Sequence, residues 1–314
     1  MGLSGIKKTL KDPWHLVIAL AQRGLLDHVS DKTFLKLNYR ARMGKKLDLK
    51  NPQTFTEKLQ WLKLYDRKPI YTTMVDKCGL KEYAAKVIGK EHIIETYGVW
   101  DSFDEIDFDS LPNKFVLKTT HDSGGVVLCR DKSTMFFASK VKEDIGIEGV
   151  RNILEGSLKN NYFYSSREWP YKNVKPRIIA ERFLEEDSGV EAIDYKVMCF
   201  NGEPKLVQLH LGRFTKHTQD FYDTNWNKLD MEYDMDMSDV VLDRPEWLDE
   251  LLELSRKMAE GLPHIRCDWY RIGGVFYIGE MTFFDDSGYG EFKPEKWNDI
   301  LGNWITLPEK TEEK

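Results

Sequence analysis

Residues 265–284 read IRCDWYRIGGVFYIGEMTFF, two apolar runs rich in β-branched and aromatic side chains on either side of Arg271-Ile272-Gly273-Gly274. A Gly-rich break between such runs predicts a β-hairpin. Each arm carries one acid, Asp268 and Glu280, and closing the hairpin sets the two carboxylates side by side. Acids are costly to bury within strands, so a facing pair either shares a cation or turns to solvent at a sheet edge. Oxygen-only ligation suits Mg²⁺ or Mn²⁺, and those ions point to nucleotide phosphate chemistry.

Two further segments bear on that choice. Phe115, Val116 and Leu117 form an apolar strand that delivers Lys118, followed by Thr119-Thr120-His121-Asp122-Ser123-Gly124-Gly125 and the apolar Val126-Val127-Leu128. A strand-end lysine before a small, Gly-rich turn offers a point charge and backbone N–H groups to phosphate oxygens; taken alone, it is also an ordinary hairpin turn. No Gly-Lys-Ser/Thr follows, so it is not a Walker loop. Residues 177–186, RIIAERFLEE, and 192–200, AIDYKVMCF, read as strands, the second closed by an Asn201-Gly202 turn. Period two puts Asp194 and Lys196 on one face.

The order of lysine strand, Gly-rich loop, Glu-x-x-Leu strand, Asp-x-Lys strand and Asp/Glu hairpin resembles the ATP-grasp superfamily. Within it, NPQTFTEKLQWLKLY (51–65), VDKCGLKEY (75–83), GVWDSFDEIDF (98–108), KFVLKTTHDSGG (114–125), DYKVMCFNGEPK (194–205) and GEMTFFDDSGYGEF (279–292) are similar to the TupA-like branch, found in bacterial surface-polysaccharide gene clusters. The similarity runs from Arg40 to Pro308.

The resemblance implies an α+β chain with the ATP-grasp fold, two α+β subdomains clasping ATP behind a mostly helical N-terminal region. Residues 1–72 would be that region, 73–113 a reduced preceding segment, 114–180 the small lid subdomain, 181–308 the large subdomain with the metal site, and 309–314 a tail. By the same resemblance Lys118 contacts the nucleotide phosphates, Lys77 reaches the nucleotide from the preceding domain, and the loop of His121, Ser123, Gly124 and Gly125 closes over the phosphates. Glu181, Arg182, Phe183 and Leu184 form the hinge whose backbone reads adenine, and Asp194, with Lys196 beside it, lies at the ribose. Arg213 meets the transferred phosphoryl group, and Asp268 and Glu280 hold the metal. Many ATP-grasp enzymes have Glu-x-Asn where this chain has Glu280-Met281-Thr282, so the third ligand is the Thr282 hydroxyl, a water, or absent.

The implied activity is that of an ATP-dependent carboxylate–amine ligase working through an acylphosphate, with ATP and Mg²⁺ (or Mn²⁺) as cofactors. Its substrates would be a small or sugar-linked carboxylate, such as a uronic acid, and an amino acid or amino sugar. Arg167, Lys172, Lys175 or the Ser287-Gly288 loop would anchor the carboxylate, and Trp169, Tyr171 and Tyr289 suit stacking on sugar faces. The alternatives are a kinase of the same fold, or a glycosyltransferase or non-catalytic partner in the same pathway.

Composition narrows the field further. A chain of 314 residues with 41% hydrophobic content can bury a core across two or three subdomains. Its net charge of −6 argues against a general nucleic-acid binder. No apolar run approaches the roughly 18 residues of a membrane span, and no secretory pattern is expected, which favours the cytoplasm. Cys78, Cys129, Cys199 and Cys267 are too scattered for a zinc site.

The first seventy or so residues read as helical. Residues 14–26 form an amphipathic helix that packs on its own domain or, beside Lys7, Lys8 and Lys11, lies on a membrane surface. Residues 54–64 form another, N-capped by Thr54 with Glu57 completing a capping box. Further helices are expected over 73–87, placing Lys77 and Lys81 one turn apart, over 140–159, and over 244–259 from Pro245. Residues 160–175 are an aromatic, basic loop that serves as a lid, an acceptor wall or a plain connection, and residues 309–314 are expected to be disordered.

Overall fold

Ser30 and Thr54 each open a helix by accepting a backbone N–H three residues on, from Thr33 and Glu57. The computed structural model describes residues 14–122, 124–139, 144–185, 194–211 and 218–311. Its N-terminal part is helical, with α1 (Trp14–Gln22), α2 (Asp31–Met43) and α3 (Phe55–Tyr65). The capping box at Thr54 and Glu57 is present.

A single helix over 73–87 is not what forms. The first helix, α4 (Pro69–Val75), ends at Asp76, whose carboxylate accepts the Cys78 N–H and starts α5 (Lys77–Val87). An acid that satisfies a helix's first amides is a start signal stronger than the run of apolar periodicity through it. The break puts Lys77 at the first position of α5, with Lys81 one turn along.

The first sheet gathers β1 (Thr96–Trp100), β2 (Phe115–Thr119), β3 (Val126–Asp131), β4 (Phe136–Ala138) and, after helices α6 (Gly146–Leu158) and α7 (Phe163–Ser166), β5 (Ile178–Arg182). Its order is β1-β5-β2-β3-β4, antiparallel throughout. Phe115, Leu117, Val127 and Ala180 pack with Val150 and Leu154 of α6 in one core. The helix expected from residue 140 begins at Gly146, and residues 140–143 lie outside the described residues.

The second sheet holds β6 (Asp194–Phe200), β7 (Glu203–Leu211), β8 (Thr218–Asp223), β10 (His264–Ile272) and β11 (Val275–Thr282) in the order β11-β10-β6-β7-β8. A small pair, β9 (Glu232–Tyr233) with β12 (Phe292–Lys293), and helices α8 (Leu248–Ala259) and α9 (Lys296–Trp304) complete the chain. Two tight turns fix the register. Asn201-Gly202 has φ of 51° and 84° and Gly273-Gly274 has 55° and 83°, left-handed at both central positions as two-residue type I′ hairpins require. Helix α8 starts four residues later than expected, because the Pro245 carbonyl accepts from Leu248 in a turn ahead of it.

The N-terminal helices share the second sheet's core: Phe34, Phe55 and Leu59 belong to one buried cluster with Phe200, Ile265 and Trp269. The 160–175 segment is tied in by Arg167, which is fully buried. Its guanidinium donates to the carbonyls of Leu26 (2.9 Å), Asp27 (3.0 Å) and Tyr164 (3.3 Å), pairs with Asp31 at 3.3 Å and lies 4.3 Å over the Phe34 ring. Arg167 is therefore a clamp between α7 and the α1–α2 connection, not a substrate anchor. Lys172 lies over Phe163, and Lys175 pairs with Asp101 on the surface. Thr311 is bonded to the Tyr65 carbonyl, which holds the start of the supposed tail in place. Among the described residues no helix is long and apolar enough to cross a membrane.

Replacing Arg167 with methionine keeps much of its volume but strands several buried carbonyls and Asp31. We expect a loss of about 3 kcal/mol, the usual scale for breaking a buried ion pair from one side. Urea denaturation of the variant against the parent measures it.

Candidate functional site

Asp268 and Glu280 are directly paired across β10 and β11, as the hairpin reading requires. Continuous pairing from the turn would set Asp268 against Gly279 and turn Glu280 to the other face. A β-bulge between Asp268 and Trp269 absorbs Gly279 and restores the match. A Cβ at Gly279 would lie 2.7 Å from the Tyr270 ring, so the bulge needs glycine there.

Asp268 is 3% exposed, and its charge is met from two sides. Arg266 reaches both of its oxygens, Nε to Oδ1 at 2.7 Å and Nη2 to Oδ2 at 2.9 Å, and Lys196, paired with it across β6, bonds Oδ2. Lys196 also pairs with Asp194 at 2.9 Å, so the two residues expected on one face do share one. Arg266 continues to Asp285 and to the Thr282 hydroxyl at 3.2 Å, and that hydroxyl donates to Glu280 Oε1 at 2.8 Å. Burial would depress the Arg266 guanidinium, but Asp268 and Glu280 reverse the effect and keep it charged.

A second cluster stands on the first sheet. Glu181 of β5 takes Lys118 of β2 on one oxygen and Lys81 of α5 on the other, each at 2.7 Å. Burial would raise this carboxyl; Lys118 and Lys81 overcome it and hold it down to about 2. Lys77 joins the clusters. Its ammonium donates to the Asp122 carbonyl and its backbone N–H to Thr120, while burial lowers its pKa against the opposing pull of Glu280.

Several expected residues stand elsewhere. His121 is 2% exposed, and its Nε2 faces the carbonyls of Ser157 and Asn160, so it supports α6 and does not face a phosphate. Gly125 is set by packing, since a Cβ would lie 2.1 Å from the Thr119 hydroxyl, and its N–H points at Asp122. Gly124 is exposed. The Arg182 N–H is used by the Glu95 carbonyl, whereas Phe183 and Leu184 follow the strand and are half-buried. Ser123 and Arg213 lie outside the described residues.

Sequence reasoning missed Arg266, Lys81 and Glu168. The alternation Arg266-Cys267-Asp268 was the available signal for the first, because period two puts Arg266 beside the acid. Lys81 could be found from its one-turn spacing to Lys77. Glu168 carried no signal, since its position depends on a loop fold.

Next to the acids is a cavity of about 510 Å³, whose lining includes Glu280, Thr282, Arg266, Tyr171 and Tyr289. Among the described residues no group of three His, Cys, Asp or Glu side chains is arranged to hold a metal. Asp268, Glu280 and Thr282 would offer a metal two carboxylates and at most one hydroxyl. That all-oxygen set fits Mg²⁺, which commonly takes one or two carboxylates and completes its shell with water and substrate phosphates.

A family model described as TupA-like ATPgrasp matches residues 57–306. The chain belongs to the TupA-like ATP-grasp family. Among solved structures, the TupA-like chain is similar to D-alanine–D-alanine ligase from Bacillus anthracis, at 16% identity over 67% of this chain and 57% of that one, with a TM-score of 0.38. It is also similar to a RimK domain ATP-grasp protein from Sphaerobacter thermophilus, at 10% identity over 77% and 70% of the two chains with a TM-score of 0.40. D-alanine–D-alanine ligase from Helicobacter pylori matches at 14% over 80% and 69%, with a TM-score of 0.38. The chain spans a little over half the length of the Bacillus structure, 57%. Comparison with curated proteins gives no match. The assignment of the TupA-like chain rests on the family model.

The lysine-clasped Glu181 sets an acid limit on stability. Its folded carboxyl titrates at about 2, below the ordinary 4.5, so its contribution is present above the ordinary value and lost as pH falls through the folded one. We expect on the order of 3 kcal/mol to disappear across that window. In Glu181→Gln this part of the pH dependence should be missing, which denaturant titrations of both proteins at successive pH values measure.

Proposed function

We propose that the chain is an ATP-dependent ligase that activates a carboxylate as an acylphosphate and joins it to an amine, acting in the cytoplasm on a precursor of a bacterial surface polysaccharide. The observation that supports the reading is the lysine cluster of the first sheet, Lys118 and Lys81 on the two oxygens of Glu181 with Lys77 at the start of the same helix as Lys81. With the acid pair of the second sheet it offers the charges that a nucleotide triphosphate and its metal would require.

In this reading Lys118, Lys77 and Lys81 offset the phosphate charge, and Glu181 keeps the lysine ammoniums apart and oriented in the absence of nucleotide. The backbone of Phe183 and Leu184, free of the strand ladder, reads the base edge, and Asp194 lies toward the ribose. Asp268 and Glu280 would hold Mg²⁺, which supplies charge neutralisation at the β- and γ-phosphates when bound. Arg266, locked by Asp268 and Asp285, presents a fixed cation where negative charge grows on the transferred phosphoryl group. Arg213 would add a second.

The chemistry then needs no protein nucleophile. The carboxylate oxygen attacks the γ-phosphorus and ADP leaves. The amine attacks the resulting acyl carbon, the C–O bond to phosphate breaks, and an amide and inorganic phosphate form. Positioning and fixed charge supply the rate, the usual division of labour in phosphoryl transfer.

Thermal shift with ATP, ADP, GTP and UDP-sugars, each with and without Mg²⁺, tests the nucleotide half, because a ligand that binds only the folded chain raises the midpoint. We expect a rise for adenine nucleotides that Mg²⁺ enlarges. In Asp268→Asn with Glu280→Gln the Mg²⁺ increment should vanish, and Lys118→Ala should weaken ATP at least tenfold. A response to UDP-sugars alone would transfer the reading to glycosyl transfer. Release of ADP only when carboxylate and amine are both supplied separates a ligase from a kinase.

A further inference from the structure

The cavity beside Glu280 and Thr282 is lined by more acids than bases. Glu168, Asp234, Glu280, Asp285 and Asp286 line it against the guanidiniums of Arg42 and Arg266, and Arg266 is already engaged with Asp268 and Asp285. The net field is acidic. Glu168 is 2% exposed and accepts the hydroxyls of Ser166 at 2.8 Å and Ser287 at 2.6 Å. Both bonds fall on Oε1, which leaves Oε2 to meet a ligand. Asp285 is 3% exposed, and its Oδ2 is a buried oxygen with no hydrogen-bond partner. A buried acceptor without a donor is costly, and Asp285, which carries one, lines the same space as Glu168.

This wall is built from α3. Gln60 and Lys63, almost one turn apart, are both buried. The Gln60 amide donates to the carbonyls of Ser287 (3.1 Å) and Gly288 (2.8 Å), and the Lys63 ammonium to those of Ser287 (2.7 Å) and Ser166 (3.0 Å). One lysine thus fixes the backbone of the two serines whose hydroxyls fix Glu168. The loop it holds is strained: Asp286 and Ser287 have φ of 42° and 53°, a left-handed conformation that costs non-glycine residues about 1 kcal/mol or more each. Gly288 allows the close approach, as a Cβ there would lie 2.5 Å from the Gln60 amide nitrogen.

We propose that this cavity receives the amine acceptor as its ammonium ion, with Glu168 Oε2 as the anchor. The inference rests on the ligase reading for its consequence, because the cavity shares Glu280 and Thr282 with the acid site and an amine held there stands next to the activated carboxylate. A carboxylate substrate is disfavoured, since four acids besides the proposed metal ligand Glu280 line the cavity against two arginines, one of them already paired with Asp268 and Asp285. Tyr171 and Tyr289 on the same lining give the acceptor's carbon skeleton apolar faces.

Saturation-transfer NMR on the full chain tests it with n-butylamine, D-alanine and glucosamine, each paired with a counterpart lacking the ammonium: n-butanol, D-lactate and glucose. The expected result is transfer to at least one amine and none to its counterpart, with affinity at least tenfold weaker in Glu168→Gln. If that variant does not unfold cooperatively, Ser287→Ala keeps the carboxylate but removes one of its donors, and should weaken the amine several-fold. Absence of transfer to all three amines, equal transfer to amines and counterparts, or unchanged amine binding in the folded variant overturns the proposal. The MgATP thermal shift of the parent, measured alongside, reports on the nucleotide reading separately: amine binding without that shift would sink the ligase reading and leave the cavity's cation preference standing.

Discussion

The arrangement depends on one constraint: the acids buried at the site draw at least one counterion each from a neighbouring element. Glu181 of β5 is met by Lys118 of β2 and Lys81 of α5, and Asp268 of β10 by Lys196 of β6. Removing any member leaves an uncompensated charge in low dielectric, a penalty larger than the pair's net attraction. Compared with apolar residues of the same shape each complete pair adds little, but because breaking one is costly the pairs do a great deal for geometry, since they hold strands and helix in an arrangement that satisfies all of them.

The same pairs explain how lysines, an arginine and several acids can be buried close together. In the ligand-free chain Arg266 and Lys196 neutralise Asp268, while Glu181 neutralises two lysines that would otherwise repel. Bound phosphate and metal would then exchange partners with charges already in place, and little reorganisation of the backbone is required. The Asp76 cap contributes at the level of local structure, because the helix it starts carries Lys77 and Lys81 to the edge of the first sheet.

Much of this was legible from residue pattern. Alternation and turn chemistry gave the two hairpins around Asn201-Gly202 and Gly273-Gly274, and the capping box gave α3. Pairing of Asp194 with Lys196 followed from period two. What could not be read were contacts made by irregular backbone. Arg167 looked like a loop cation and is a buried clamp; His121 looked like a phosphate neighbour and faces α6; Glu168 gave no sign of itself. Arg167 is placed by the carbonyls of Leu26 and Asp27 and Glu168 by the Ser287 hydroxyl, all more than a hundred positions away, and His121 by the carbonyls of Ser157 and Asn160, 36 and 39 positions on. No local pattern encodes such a bond.

The acid pair also depends on an irregularity. The hairpin's arms are of unequal count between the turn and the acids, and the surplus residue is Gly279. A hairpin of perfect regularity would be the better sheet, with an unbroken ladder and a side chain at every position, yet it would leave Asp268 and Glu280 on opposite faces. The side-by-side acids thus come with one missing rung, and the smallest residue in the strand decides which side of the sheet Glu280 sees.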